Sequence, residues 1–178
     1  MSSAATPRHT EARFSHSGNL PGLLDSLNCS ILVSTYQAVS GAGLAGVDEL
    51  ESQMLSAGVG ATALVHDGGA VELAPSTKWA VPIAYNVVPR IDVLDPVTGS
   101  SFEETKMERE TRKILGLPDL EIVSTCVRVP VYRAHSVAVS AEFEKPVTVA
   151  AARAVLAKAP GLDIVDNPEK KEYPLPLY

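Results

Sequence analysis

Three glycines, Gly41, Gly43 and Gly46, spell G-x-G-x-x-G between an expected strand, Ile31 to Ser40, and an expected helix, Val47 to Ser56. A loop of this kind can offer backbone N–H groups and a helix N-terminus to a pyrophosphate. Asp67 follows about twenty residues on, at the end of a second expected strand, Ala61 to Val65, where a dinucleotide fold places its ribose-binding acid. The same pattern also serves a tight strand-to-helix turn that needs small residues. Spacing alone leaves both readings open. The two cysteines, Cys29 and Cys126, are too few and too far apart for a disulfide framework or a zinc site. His9 and His16 lie in a Ser-, Ala- and Thr-rich opening stretch and read as exposed residues, not metal ligands.

The elements that must position such groups follow from periodicity and caps. Met1 to Asn19 has no sustained period and is expected to be flexible; residues 20–178 then form one domain. Val47, Leu50 and Met54 repeat at helical spacing. Ala80 to Val88 is an apolar candidate strand interrupted by Pro82. Ser101 precedes Glu103 and Glu104 as a helix start, and Gly116 and Pro118 end that helix after Leu115. Glu103 and Lys106 are three apart, so they share a face and can reach one pocket, or simply pair at the surface. Two strands, Glu121 to Val131 and Ser136 to Phe143, flank Tyr132 to His135. A helix over Thr148 to Ala159, capped by Thr148, and a strand over Leu162 to Val165 complete the pattern. Strands and helices mix without strict alternation, which predicts the α+β class.

With 178 residues, 46% of them hydrophobic and only 20% charged, the chain fits a single domain with a sizeable core. Twenty-one acidic residues against 15 basic ones give a net charge of −6, which argues against a general affinity for nucleic acid. Lys170 and Lys171 sit beside Glu169 and Glu172 and read as a solvated turn. No leader pattern opens the sequence and no apolar run is long enough to cross a bilayer, so a soluble, cytoplasmic domain is expected.

The sequence around the glycines goes further. Ser34-Thr-Tyr-Gln-Ala-Val-Ser-Gly-Ala-Gly43, with Gly46 and Asp48-Glu-Leu50, resembles the second domain of the aspartate-semialdehyde dehydrogenases. The likeness continues through Pro82-Ile-Ala-Tyr-Asn-Val-Val-Pro-Arg-Ile-Asp92, Glu103-Glu-Thr-Lys-Met107 and Glu110-Thr-Arg-Lys-Ile-Leu115. It is plainest in Ser124-Thr-Cys-Val-Arg-Val-Pro-Val131 with His135-Ser136, and it extends through Phe143-Glu-Lys-Pro-Val147 to Tyr173-Pro-Leu-Pro176. The resemblance implies a mixed, largely antiparallel sheet with helices on one face, assembled as a homodimer. It also implies that Gly41 to Gly46 is a turn, because the family's cofactor loop belongs to a separate domain; no cofactor or metal is expected here.

Residue by residue, the resemblance implies that Gln37 orients a substrate at the reacting carbonyl and that Arg128 grips the substrate carboxylate. His135 then matches the acid/base residue, Glu103 the group that meets the substrate amino group, and Lys106 a phosphate-binding lysine. These types suit those roles, since a guanidinium fork fits a carboxylate bidentately and imidazole titrates near neutrality. The sequence shows no counterpart of the family's nucleotide domain, of its returning C-terminal segment, or of its nucleophile. Asn28-Cys29-Ser30 imitates the nucleophile motif but falls just before a strand, about a helix too late. Cys126 reads as a buried packing residue.

Hydride transfer to a thioester needs a thiolate and a nicotinamide, so NADP-dependent dehydrogenation by this chain alone is not expected. The expectation is a repurposed non-redox enzyme acting on a carboxylate-bearing small molecule by isomerisation, cyclisation, hydration or elimination. The alternative is a non-catalytic binding or regulatory subunit that pairs with itself or with an intact dehydrogenase. Phe14 and the histidines of Met1 to Asn19 further suggest that this segment folds over the vacated cleft.

Overall fold

The computed structural model describes residues 13–14, as backbone, and residues 30–177. In chain order the elements are β1 (Arg13–Phe14), β2 (Ser30–Gln37), α1 (Leu44–Ala57), α2 (Phe102–Leu115), β3 (Glu121–Arg128), β4 (His135–Ala141), α3 (Val149–Leu156) and β5 (Leu162–Asp163). The fold is α+β. Its main sheet has the order β3-β2-β4, with β2 parallel to β3 and antiparallel to β4, and β1 pairs β5 antiparallel. The main sheet is mixed as expected, but with one parallel and one antiparallel pairing it is not largely antiparallel. The parallel pair needs a long crossover, supplied by the stretch that carries α1 and α2. Apart from the Arg13–Phe14 backbone, which pairs with β5, the expected flexible segment Met1 to Asn19, its proposed cleft contact and the setting of Cys29 lie outside the described residues.

The β-branched run of β2 alternates inside and outside, as a pleated strand must. Ile31, Val33, Thr35 and Gln37 are buried, whereas Leu32 and Tyr36 are exposed. On β3, Ile122, Ser124, Cys126 and Arg128 share the buried face in register with them. Helix α2 packs on this face. Ser101 starts it through a reciprocal capping box with Glu104, and Gly116 ends it in the left-handed conformation at φ 68°. The Ser124 hydroxyl donates to the Glu104 carbonyl at 3.0 Å, and the Cys126 N–H donates to the Glu104 carboxylate at 3.0 Å. The outer edge of β3 is therefore partly occupied by a side chain, and Val88 bridges it at Arg128.

Two apolar clusters flank the polar end of β2. One joins Ile31, Val33, Leu120 and Ile122 with Leu115, Leu117, Ala141 and Phe143. The other joins Val39, Leu50, Ile83, Ala84 and Val88 with Val47 and Trp79. Buried Glu49 and Gln53 on α1 tie the second cluster to its covering loop. Glu49 accepts from the Thr77 and Lys78 N–H groups, and Gln53 accepts from those of Ile83 and Ala84.

Several expected boundaries move. β2 stops at Gln37 because Val39–Ala42 coils into a 3-10 turn, whose Val39 and Ser40 N–H groups donate to the Val131 and Tyr132 carbonyls. The expected strand Ala61 to Val65 is not a strand: Gly58–Val65 is 3-10 helix. Its β-branched residues find no neighbouring strand, and Val59 and Val65 are exposed, so local propensity has no ladder to join. Asp67 consequently ends no strand; its carboxylate accepts from the Gly69 N–H in a local turn. Ala80 to Val88 is irregular, with Tyr85 at φ 62° and only Val88 in a bridge. The last strand shortens to Leu162–Asp163, while Thr148 does cap α3. Among the described residues no helix is long and apolar enough to cross a membrane.

Candidate functional site

Gln37 is the last residue of β2. Its register partners are Arg128, the last residue of β3, and His135, the first of β4. The three therefore form one row across the sheet, although Gln37 lies 91 positions before Arg128 and 98 before His135. The connection from β3 to β4 crosses the end of β2 and clasps the Val39–Ala42 turn, which is what brings Arg128 and His135 to either side of Gln37.

Ala38, immediately after the row, holds both neighbours through its peptide groups. Its N–H donates to His135 Nδ1 at 3.1 Å, and its carbonyl accepts from Arg128 Nη1 at 2.8 Å. The first turn of α2 completes the cluster. Gln37 Nε2 donates to Glu103 Oε1 at 3.3 Å, and Lys106 Nζ lies 3.5 Å from Glu103 Oε2. All five residues singled out in the sequence are thus brought together, with Lys106 joined through Glu103. Gln37 and Arg128 are buried, Glu103 is half-buried, and His135 and Lys106 are exposed.

Burial shapes the charges. It pulls the Arg128 guanidinium below its ordinary value, with the Glu103 carboxylate acting in the opposite sense. Arg128 remains a cation, and its Nε has no hydrogen-bond partner among the described residues. Burial pushes the Cys126 thiol up; the Thr35 hydroxyl opposes this, and Glu104 and Glu103 add to it. Cys126 is also fully buried, as a packing residue is. For Glu104 burial also works against ionisation, but the Ser101 and Cys126 N–H groups outweigh it and hold the carboxyl below its usual value.

Two glycines of the G-x-G-x-x-G motif answer to local packing and the third to backbone conformation. A Cβ on Gly41 would stand 3.2 Å from Arg128 Nη1 and 3.3 Å from the His135 ring, so the site itself occupies that space. Gly43 has φ 82°, where L side chains are strained. A Cβ on Gly46 would meet the Val39 carbonyl oxygen at 2.8 Å and Trp79 at 2.9 Å. Two shallow concavities of about 450 and 420 Å³ lie elsewhere, one beside Arg109, Arg112 and Lys113 and one beside Asp48 and Ser52. Among the described residues no group of three His, Cys, Asp or Glu side chains is placed to hold a metal ion.

Sequence reasoning missed Ala38, Glu104 and Ala134 as parts of the site. Glu104 was legible only as a helix-capping acid, because its second partner, Cys126, is 22 residues away. Ala134 sits at φ 65° directly before His135, a left-handed conformation that its residue type does not announce.

The semialdehyde dehydrogenase dimerisation-domain family model matches residues 20–178. An aspartate-semialdehyde dehydrogenase of Mycolicibacterium smegmatis is 44% identical over 139 residues, covering 78% of this chain and 40% of that protein. One from Corynebacterium glutamicum is 47% identical over 137 residues, covering 76% of this chain and 40% of its own length. Aspartate semialdehyde dehydrogenase II of Vibrio cholerae, solved in complex with ASA, superposes with a TM-score of 0.66 at 35% identity, covering 78% of this chain and 38% of that one. The chain spans about 40% of the length of the curated relatives it matches. On this match the chain belongs to the semialdehyde dehydrogenase dimerisation-domain family.

Proposed function

We propose that the chain binds a small carboxylate-bearing molecule over the Gln37–Arg128–His135 row and acts on it by acid/base chemistry. The observation that carries this reading is the buried Arg128 guanidinium, in one row with Gln37 and His135 and with its Nε–H unpartnered among the described residues. A buried cation without a paired carboxylate is costly, and a bound carboxylate relieves that cost. Glu103, tied to Gln37, suits the ammonium of an amino acid, and Lys106 lies at the outer edge of the same group. Isomerisation, cyclisation, hydration and elimination need only groups of these kinds. Hydride transfer through a thioester needs a thiolate in addition, and Cys126 is too buried to supply one.

The test is thermal stability against a panel of small amino acids and dicarboxylates, with Arg128→Ala as control. A ligand at a hundred times its Kd adds about 2.7 kcal/mol, which raises Tm by roughly 5 to 11 °C for a chain of this size. A rise in the parent chain that is lost in Arg128→Ala supports the site. No rise with any member of the panel rejects it.

A second reading is that the chain is a non-catalytic subunit that pairs with itself or with an intact dehydrogenase. The bare sheet face formed by Leu32, Tyr36 and Val123 favours self-association, since adjacent exposed apolar residues of this size mark contact surfaces. Sedimentation of Tyr36→Asp as a monomer, against a dimer for the parent, supports a homodimer through this face. An unchanged sedimentation coefficient rejects it.

A further inference from the structure

We infer that the outer edge of β4 is a docking strand for a second copy of this chain, which pairs with it antiparallel about a two-fold axis at Ala138. The inference goes beyond the carboxylate site and depends neither on it nor on the bare sheet face.

β4 ends the sheet order β3-β2-β4, so one of its edges has no strand beside it among the described residues. One bond fixes which backbone groups face outward. The Glu142 N–H donates to the Ser30 carbonyl at 3.0 Å, in step with the register that pairs Leu32 with Ser140, Ser34 with Ala138 and Tyr36 with Ser136. Bonded and non-bonded residues alternate in an antiparallel ladder, so Ser136, Ala138 and Ser140 direct their N–H and C=O groups at β2. Those of Val137 and Val139 point away from the sheet. Their side chains are also 51% and 57% exposed.

The two edges of the sheet differ. On β3, the Glu104 carboxylate takes the Cys126 N–H, and Val88 exchanges two backbone bonds with Arg128. β4 has no such guard among the described residues. From His135 to Ala141 it holds no Lys, Arg, Asp, Glu or Pro, and its register with β2 runs without a bulge. An unguarded edge with β-branched residues is a template for another strand.

Charge selects a second β4 running in the opposite direction as the occupant. Arg133 precedes the strand, and Glu142 and Glu144 follow it. A two-fold axis sets the basic end of one copy against the acidic end of the other, whereas parallel pairing would set like against like. The register that overlaps the whole strand places Val137 opposite the partner's Val139 and His135 opposite the partner's Ala141. These are pairs of outward-facing residues, as hydrogen-bonded pairs must be. It gathers the valines of both copies into one apolar patch, brings Arg133 between the partner's Glu142 and Glu144, and puts the small Ala138 at the axis. Moving the axis to Val139 would oppose Arg133 and Lys145 instead.

The experiment is disulfide trapping of the full chain carrying Ala138→Cys and Cys29→Ser, with Cys126 left in place because it is buried. Residues facing each other in the non-bonded pair at the axis have Cα atoms about 4.5 Å apart, within reach of a disulfide. Ser140→Cys in the same background is the register control, because its counterpart lies about 13 Å away along the strand. Oxidation is expected to trap Ala138→Cys as a covalent dimer roughly tenfold faster than Ser140→Cys, whose separation exceeds what a disulfide spans. Equal trapping, or none at Ala138→Cys, overturns the inference. Amide exchange of the parent chain is the second measurement. Protection of the Val137 and Val139 N–H groups should rise with protein concentration, and Ala138→Lys, which opposes like charges at the axis, should abolish that rise. Protection independent of concentration, or a rise that survives Ala138→Lys, overturns the pairing. Tyr36→Asp on the bare face should leave the Ala138→Cys trapping intact, and its loss there would overturn the edge as an interface of its own.

Discussion

The two faces of β2 belong to the same eight residues and meet opposite fates. Ile31, Val33, Thr35 and Gln37 lie under α2 or the flanking clusters and are at most 8% exposed. Leu32 and Tyr36, one position along, are 58% and 45% exposed, and Val123 beside them is 60% exposed. Hydrophobicity does not separate the faces, because the covered one holds Gln37, Arg128 and Thr35 while the bare one holds leucine and tyrosine. What separates them is whether a helix packs there. On the covered face Gln37 and Ser124 are bonded to α2, while Thr35 Oγ1 and Arg128 Nε have no partner among the described residues.

The largest test of this contrast is a pair of adjacent truncations. Ile122→Ala on the covered face should lower unfolding free energy by about 2–5 kcal/mol, whereas Val123→Ala on the bare face should change it by less than about 0.5 kcal/mol. Urea denaturation at low protein concentration reads both. Equal losses would show that the bare face is covered in solution even by the monomer.

Glu104→Gln should have a smaller effect, about 1–2 kcal/mol, through weakened charge-assisted bonds to the Ser101 and Cys126 N–H groups. Because the folded-state carboxyl titrates below its ordinary value of 4.5, the folded chain binds that proton less readily than the unfolded one. The stabilisation is therefore complete above the ordinary value and is lost as pH falls through the lower, folded value. The difference between parent and Glu104→Gln should shrink accordingly in denaturation curves taken from pH 7 down to pH 3. A difference that grows on acidification would contradict the assignment.

The smallest effect is expected at Ala134→Gly. Relief of the left-handed alanine and the added freedom of glycine in the unfolded chain oppose each other, leaving about 0–1 kcal/mol of added stability. A loss above that range in calorimetry would mean that the alanine methyl makes contacts that outweigh its strain.

Much of this molecule is legible in local sequence. Ser101 with Glu104, Gly116, and Thr148 mark helix ends through bonds to residues within four positions, so the caps appear where composition places them. The alternation of β2 likewise follows from the pleat. The five site residues were readable through their likeness to a family, and the structure brings them into one cluster. The strand expected at Ala61 to Val65 failed because a strand is defined by a neighbour, and no pattern within five residues says whether one is there.

The amino-acid sequence by itself determined the elements with strong caps or strict alternation, the α+β class, and which residue types were available for a carboxylate site. Tertiary structure alone decided which face of the sheet is bare and that the glycine motif is shaped by Arg128, His135 and Trp79. It alone also decided that the backbone of Ala38, an unremarkable residue in the sequence, bonds the Arg128 and His135 side chains. The reason is range: a cap or a pleat is settled within a turn of chain, whereas Ala38 meets Arg128 and His135 across 90 and 97 positions, and only packing determines which backbone groups meet at such separations.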